Sequence, residues 1–431
     1  MKQFGFIIII FFYNPSFAQN KLSLEEAVQT MLKNSFEIQI AKNNLEISKI
    51  NNHLGIAGGL PIVAATLNDN QQIISVNQKL NNGTSIQRNG ASSNNFNMGV
   101  TAFILLYNGY RVYATKNRLS EIEKMNEQLL NAQIQNSIAA IMIKYYDIVR
   151  QESYLKTIQA SIDVSTKRIE IVEGRQQVGM ANNADLFQAK IDLNTRLQEL
   201  ESQILIKQQA TSDLNKLMGL SQSFNFYIKD SIIVDKFIKL DSVIQYVKTN
   251  YQLIIFEQQI RMNEWAEKEV AAQRYPAVRL STGYNYIRNQ SAAGFTLLNQ
   301  NYGPFIGLNV QVPIFNGQIV NRQQKTSALA TNISRLEKNN LLNELETTVY
   351  KSWQAYSNLI KRLNVEYENF NLSEKLLKLV FQKFELNQVS FIDLREAQKS
   401  FEDAGYRLTN LAYAARMNEI ELKRISNQLS Y

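Results

Sequence analysis

Two stretches of the chain alternate between mainly apolar and non-apolar positions. Residues 306–314 place Ile, Leu, Val, Val and Ile at every second position, and residues 278–286 repeat the pattern. Residues 96–104 carry a similar pattern with a less polar opposite face, and the stretch after Pro61 a weaker one. Alternation predicts β-strands with one apolar and one polar face. Strands of a membrane barrel, with lipid outside and a lumen inside, alternate in this way. A half-buried sheet of a soluble protein would show the same alternation, so the strands alone do not distinguish the two.

Two much longer segments carry a coiled-coil period. Over residues 349–384, apolar or aromatic side chains recur at alternating steps of four and three, with one polar member at Glu374. Residues 134–162 follow nearly the same rule. The pattern predicts helices over 111–177 and 318–386, each about 100 Å long. Such lengths exceed those of ordinary helices in a globular core.

The two halves of the chain repeat each other. Tyr-Asn-Gly at 107–109 reappears as Phe-Asn-Gly at 315–317, and Asp-Leu at 185–186 reappears at 393–394 with the same offset. Self-similarity of this kind indicates a duplicated structural unit. Each repeat is predicted to contain a helix, two strands, a long helix and a shorter helix.

The predicted boundaries follow this duplication. The first repeat, 19–218, is predicted to contain a helix over 23–58, strands over about 61–77 and about 94–107, a long helix over 111–177 and a shorter helix over 182–218. The second repeat, 240–431, is predicted to contain a helix over 240–273, strands over about 276–290 and about 304–315, a long helix over 318–386 and a shorter helix over 389–428. Two shorter helices end to end match one long helix. The connector 219–239, with a short helix or strand, is therefore predicted to lie near the chain termini, midway along a rod.

Residues 1–18 have the features of a signal peptide for export. Lys2 precedes an apolar run, and small residues occupy Ser16 and Ala18, which predicts cleavage before Gln19. A membrane anchor is the alternative, but the run is shorter than the ~20 residues of a spanning helix. No later apolar run approaches that length, so insertion into a bilayer would require strands closed into a barrel.

Four strands per chain are too few to close a membrane barrel, for which at least eight are needed. We therefore predict an oligomer. Three copies would form a twelve-stranded barrel that continues into a hollow cylinder of coiled helices. Two copies would form the smallest barrel, which side chains fill. The predicted fold class is thus mainly α, with a transmembrane β-barrel portion and a long coiled-coil α-helical barrel.

The composition excludes several functional classes. The chain has no Cys and a single histidine, His53, which removes the usual zinc sites, His-dependent triads and cysteine nucleophiles. It also lacks a phosphate-binding loop and a nucleophile elbow, so no enzyme activity and no cofactor are predicted. The formal net charge is +8, but Lys and Arg are scattered singly, which argues against nucleic-acid binding.

The sequence resembles the TolC family of trimeric outer membrane efflux ducts. The resemblance covers essentially the whole chain after the signal. It rests on LSLEEAVQTMLKNS, LLYNGYR, PIFNGQIVNR, VGMANNADLFQAK and LNQVSFIDLREAQ, in this order and duplicated. It implies a homotrimer in outer membrane lipid, with a long periplasmic extension that docks onto a periplasmic adaptor and an inner membrane transporter. It further implies that adaptor docking opens a gate at the periplasmic helix tips.

The resemblance also implies where the adaptor binds. The family presents its helix-tip turns to the adaptor, and the matching residues here are Val178, Gly179, Met180 and Asn387. Glycine favours the left-handed backbone of a helix end. Asn387 departs from the usual glycine but tolerates the same conformation.

The periplasmic gate is implied in the same way. Asp393 and Glu396 match acidic positions that ring the narrow mouth of these ducts, where threefold symmetry would gather six carboxylates that favour cations. Asp185 matches the acid of a helix-to-helix lock, but Phe384 and Val389 stand at its other two positions, so that lock is absent or built differently. An alternative for both aspartates is that they only stabilise a helix N-terminus.

A competing class is a soluble periplasmic coiled-coil scaffold or adaptor without a pore. In such a protein the strands would form a small ordinary sheet. Dependence on detergent would separate the two classes, because only the duct needs lipid or detergent around its strands.

Overall fold

The computed structural model describes residues 20–429; the predicted signal peptide lies outside them. Within these residues the chain is mostly helical, with one four-stranded antiparallel sheet, which confirms the mainly α class. The α-helices are α1 (Leu24–Asn34), α2 (Phe36–Asn51), α3 (Arg111–Gln177), α4 (Asn183–Met218), α5 (Leu240–Val247), α6 (Tyr251–Ala271), α7 (Ile319–Glu385) and α8 (Phe391–Ile425). The strands are β1 (Asn20–Lys21), β2 (Ile62–Lys79), β3 (Ser85–Tyr107), β4 (Phe226–Tyr227), β5 (Ala277–Ser291) and β6 (Leu298–Gln311).

The chain divides into two compact units. The helical unit comprises residues 20–39, 132–250 and 344–429, and the sheet unit comprises residues 40–131 and 251–343. None of the helices described between residues 20 and 429 combines the length and the apolarity that crossing a bilayer requires.

The sheet unit is built on four antiparallel strands in the order β2, β3, β5, β6. Val100 pairs with Tyr284, and Leu280 pairs with Leu308, so the apolar positions of neighbouring strands share one face. That apolar face is open to its surroundings, since Ile306 is 76% exposed. The opposite face is rich in asparagine, and its members are Asn68, Asn70, Asn95, Asn97, Asn285, Asn289, Asn299, Asn301 and Asn309.

Both strand-to-helix exits use the same backbone turn. Gly109 and Tyr110 have φ of 69° and 65° just before α3, and Gly317 and Gln318 both have φ of 63° just before α7. Two successive left-handed residues reverse the chain without a longer loop. The repeated Asn-Gly motif therefore encodes one turn twice.

The first helix of each half is broken, whereas the sequence predicts continuous helices over 23–58 and 240–273. The first helix stops at Ser35, which has ψ of 123°. In the second half the break covers residues 248–250, where the Thr249 hydroxyl donates to the Tyr246 carbonyl at 2.7 Å. Threonine side chains compete with helical hydrogen bonds in this way, and the two breaks fall at similar places in the two halves.

The strands also depart from the predicted boundaries. β3 begins at Ser85 rather than near residue 94, because the polar stretch before Asn94 pairs with β2 through its backbone and carries no alternation. β6 ends at Gln311 rather than near 315. Pro313 follows, and proline has no N–H to donate to a sheet.

The connector 219–239 contributes a short strand to the helical unit. β4 pairs in parallel with β1, and the Leu22 amide continues the ladder to the Tyr227 carbonyl at 3.0 Å. The Tyr145 hydroxyl, buried on α3, donates to Asp230 and lies 3.1 Å from the Leu22 carbonyl. Burial raises the pKa of Tyr145, so it remains a neutral donor that holds the connector against the helices.

Candidate functional site

The two helix tips, residues 178–182 between α3 and α4 and residues 386–390 between α7 and α8, end in the same motif. At the first tip, the amides of Gly179 and Met180 donate to the carbonyls of Gln176 and Arg175. At the second tip, Asn387 and Gln388 repeat these bonds three and five residues back. Gly179 and Asn387 have φ of 76° and 58°, the left-handed residue that a Schellman motif requires.

The following helices are capped from the tips. The Asn182 side chain accepts a hydrogen bond from the Asp185 amide at 2.8 Å. On the second tip, the Ser390 hydroxyl accepts from the Asp393 amide, while the Asp393 carboxylate accepts from the Ser390 amide at 2.8 Å and from its hydroxyl at 2.7 Å. This capping box satisfies donors that the first helical turn leaves open.

The capping box also affects the pKa of Asp393. The hydrogen bonds from the Ser390 hydroxyl and amide lower the pKa of Asp393 below its usual range. Because the folded pKa is the lower one, the interaction stabilises the fold at neutral pH and is lost as the pH falls through that lowered value. Glu396, one turn later, is exposed, and Asp185 is half-buried.

Phe384 lies inside the helical unit, with 1% of its surface exposed. It packs in a cluster that joins the ends of all four helices near the tips. The other buried members are Val172, Leu186, Leu377, Leu394, Ala397 and Phe401. In the described chain Phe384 is thus a packing residue of the tips, and its side chain is not open to solvent.

Arg175 joins the two tips to each other. Its guanidinium lies 4.4 Å above the Phe384 ring and donates to the Phe384 carbonyl. That carbonyl belongs to the last turn of α7 and also accepts the Asn387 amide at 3.0 Å, so Arg175 is its second donor. The sequence pattern did not single out Arg175, because a basic residue near a helix C-terminus is common.

The outermost side chains of the tips are apolar. Val178 is 69% exposed and Met180 65% on the first tip, and Leu386 is 68% exposed on the second. Exposed apolar side chains gathered at one end of a helix pair are typical of an interaction surface.

A buried polar layer lies behind the tips. The Ser161 hydroxyl donates to Glu402, the Gln398 amide donates to the Ser165 hydroxyl at 2.8 Å, and Arg196 pairs with Glu402 at 2.7 Å. Burial raises the pKa of Glu402. Sliding α3 along α8 would break these bonds, so the layer fixes the register of the two helices. Ser165 continues the four-and-three spacing of Ile158 and Ile162. A polar residue at such a core position is the feature of the sequence from which this buried layer could have been predicted.

Among the described residues, no group of three or more His, Cys, Asp or Glu side chains is placed to hold a metal ion.

Comparisons with known proteins agree with this architecture. The model of the outer membrane efflux protein family matches residues 27–220. VceC, an outer membrane protein of Vibrio cholerae, is 16% identical with a TM-score of 0.75, covering 94% of this chain and 95% of that chain. CusC, which forms a transmembrane channel, is 14% identical with a TM-score of 0.75, covering 95% and 92%. The open state of the MtrE outer membrane channel of Neisseria gonorrhoeae is 15% identical with a TM-score of 0.72, covering 94% and 88%. At such identities the structural likeness establishes the fold. No curated protein sequence matches the chain.

Proposed function

We propose that this chain, a member of the outer membrane efflux protein family over residues 27–220, forms the outer membrane exit duct of a tripartite export system. The duct is a homotrimer whose strands cross the membrane and whose helices extend into the periplasm. Because the matched family is one of efflux proteins, its role is transport and not catalysis.

The observation that carries this proposal is an incomplete sheet. Among residues 20–429, no strand pairs with the outer edge of β2 or of β6. Unpaired edges of 18 and 14 residues are strong templates for pairing with another chain. Three copies joined edge to edge would close a twelve-stranded barrel and leave no edge exposed.

The two faces of the sheet suit the outside and the inside of such a barrel. The exposed apolar face that contains Val100, Tyr284 and Ile306 would meet lipid. The asparagine-rich face would line a water-filled lumen, since amide side chains bind water and carry no charge. A soluble scaffold would have to cover this apolar face, and the described residues do not cover it.

The helix tips would form the periplasmic gate. Asp393 and Glu396, with Asp185, would bring carboxylates around the mouth in a trimer. The capping box favours the ionised form of Asp393, while Phe384 and Arg175 hold the two tips together. We propose that adaptor docking moves these tips outward, which widens the mouth.

The exposed apolar residues at the tips would receive the adaptor. Val178 and Met180 project beside Gly179, and the left-handed Asn387 turns the second tip in the same manner. An inner membrane transporter would complete the system and select the substrate.

The gate is tested by ion selectivity in planar bilayers. Replacing Asp393→Asn together with Glu396→Gln should lower the cation-to-anion permeability ratio several-fold, because a charged ring at a narrow mouth selects ions. In the unchanged protein, the cation preference should persist below the ordinary pKa of an aspartate, because the pKa of Asp393 is lowered.

A matched control removes two exposed carboxylates elsewhere, with Glu25→Gln and Asp241→Asn. This control should leave the permeability ratio unchanged. Equal ratios for all three proteins would refute the gate assignment, whereas the duct itself is tested by whether discrete conductance steps occur at all.

A further inference from the structure

A cavity of 680 Å³, the basal cavity, opens at the end of the sheet where the strands join the helices. It lies where β3 passes into α3 and where the turn after α6 enters β5. Its volume is within the range of small-molecule sites. The tip gate makes no use of it, since all its lining residues belong to the sheet unit.

Three arginines and one glutamate line this basal cavity, which leaves a surplus of positive charge. Arg118 pairs with Glu269 at 2.8 Å, and Arg111 lies 4.0 Å from the same carboxylate. Arg279 is exposed, and its side chain makes no ion pair or hydrogen bond with another residue between 20 and 429. Glu269 therefore neutralises at most one of the three cations.

The surroundings add to the positive potential and supply apolar walls. α3 begins at Arg111, so the positive end of its helix dipole faces this region. Ile56, Leu105 and Tyr275 line the cavity beside the arginines. Charge next to exposed apolar surface fits a ligand that has both features.

Strand register places Arg279 on the asparagine-rich face. It pairs with Leu105 of β3 and with Asn309 of β6, and its neighbours Val278 and Leu280 point to the apolar face. If that face lines the lumen, as proposed above, the basal cavity opens onto the path of the exported compound.

We propose that the basal cavity binds a small organic anion that has one anionic group and an apolar body. Arg279 and Arg111 bind the anionic group by charge-assisted hydrogen bonds, and Ile56, Leu105 and Tyr275 contact the body. The placement of this site in a duct rests on the proposed function, and it adds amphiphilic anions as the substrate class. The tip carboxylates act on freely diffusing small ions, which is a separate property from binding in this cavity.

The test is equilibrium dialysis of naphthalene-1-sulfonate against the purified full chain in a neutral detergent, with protein-free micelles as the blank. Arg279→Gln should weaken binding about tenfold, because it removes a charge-assisted contact. The control is Arg288→Gln, which removes the same charge from the same strand on the opposite face. Its affinity should equal that of the unchanged protein, and uncharged naphthalene-1-methanol should bind more weakly than the sulfonate.

The proposal is overturned if the unchanged protein shows no saturable binding, or if Arg279→Gln binds as tightly as Arg288→Gln. It is also overturned if the uncharged probe binds as tightly as the sulfonate. Conductance recorded from the same samples keeps the two proposals separate. Saturable, Arg279-dependent binding without conductance would refute the duct and support the site. Conductance without binding would refute the site and support the duct.

Discussion

Replacing Phe384→Ala is expected to destabilise the helix tips by about 3–5 kcal/mol, the usual cost of removing a fully buried phenylalanine. The ring is 1% exposed and packs against Leu377 and Leu394. Its loss would leave a cavity and would also remove the surface on which Arg175 stacks. Amide hydrogen exchange at the ends of α3 and α7 measures the local opening free energy directly.

The matched control is Phe187→Ala, near the first tip on α4. Phe187 is 61% exposed, so its removal should cost about 1 kcal/mol or less. Equal losses of protection for the two variants would contradict the placement of Phe384 in the core.

The second large effect is expected at a strand-to-helix exit. A methyl group added at Gly109 would lie 2.6 Å from the Ala272 carbonyl oxygen and 2.7 Å from Cβ of Tyr275. Gly109 also has φ of 69°, which an alanine adopts only with strain. Gly109→Ala should therefore cost about 2–4 kcal/mol, seen as a lower unfolding temperature of the purified protein.

The duplication supplies the control for this prediction. Gly317 occupies the equivalent turn with φ of 63°, but an added methyl group would meet nothing within 4 Å. Gly317→Ala should lower the free energy of unfolding by about 1 kcal/mol, the cost of backbone strain alone. If both variants unfolded at the same temperature, the close approach of Gly109 to Tyr275 would not exist.

Periodicity in the sequence predicted the main elements, because each is long enough to show its own pattern. The heptads over 349–384 lie within α7, and the alternation over 278–286 lies within β5. Patterns of this length reflect which face each residue presents, and packing leaves little freedom to change it. The division into two repeats remains a prediction, as does the arrangement of the helices along a rod.

Short interruptions were missed because their cause is local or tertiary. The break at Ser35 rests on backbone angles that its neighbours do not reveal. The start of β3 at Ser85 rests on pairing with β2, which needs no apolar side chains. Arg175 binds Phe384 across a long sequence separation, and one sequence contains no signal for such a contact.

Two local features of the helix tips agree with expectations from the sequence, whereas the gate itself remains a prediction. The left-handed turn at Asn387 was expected from the tolerance of asparagine, and the structure has it. The helix-capping alternative for Asp393 is also realised, since Ser390 binds its carboxylate. Capping does not remove the negative charge of Asp393. The same carboxylate can therefore cap α8 and contribute to the proposed ring of carboxylates.

The most direct test of the duct is the number of copies in the purified, exported protein. Light scattering in a neutral detergent should give the mass of a trimer, because only pairing of the free edges of β2 and β6 closes the sheet. The trimer should also need detergent to remain in solution, as its apolar sheet face requires. A water-soluble particle with a single copy of the chain would contradict the account.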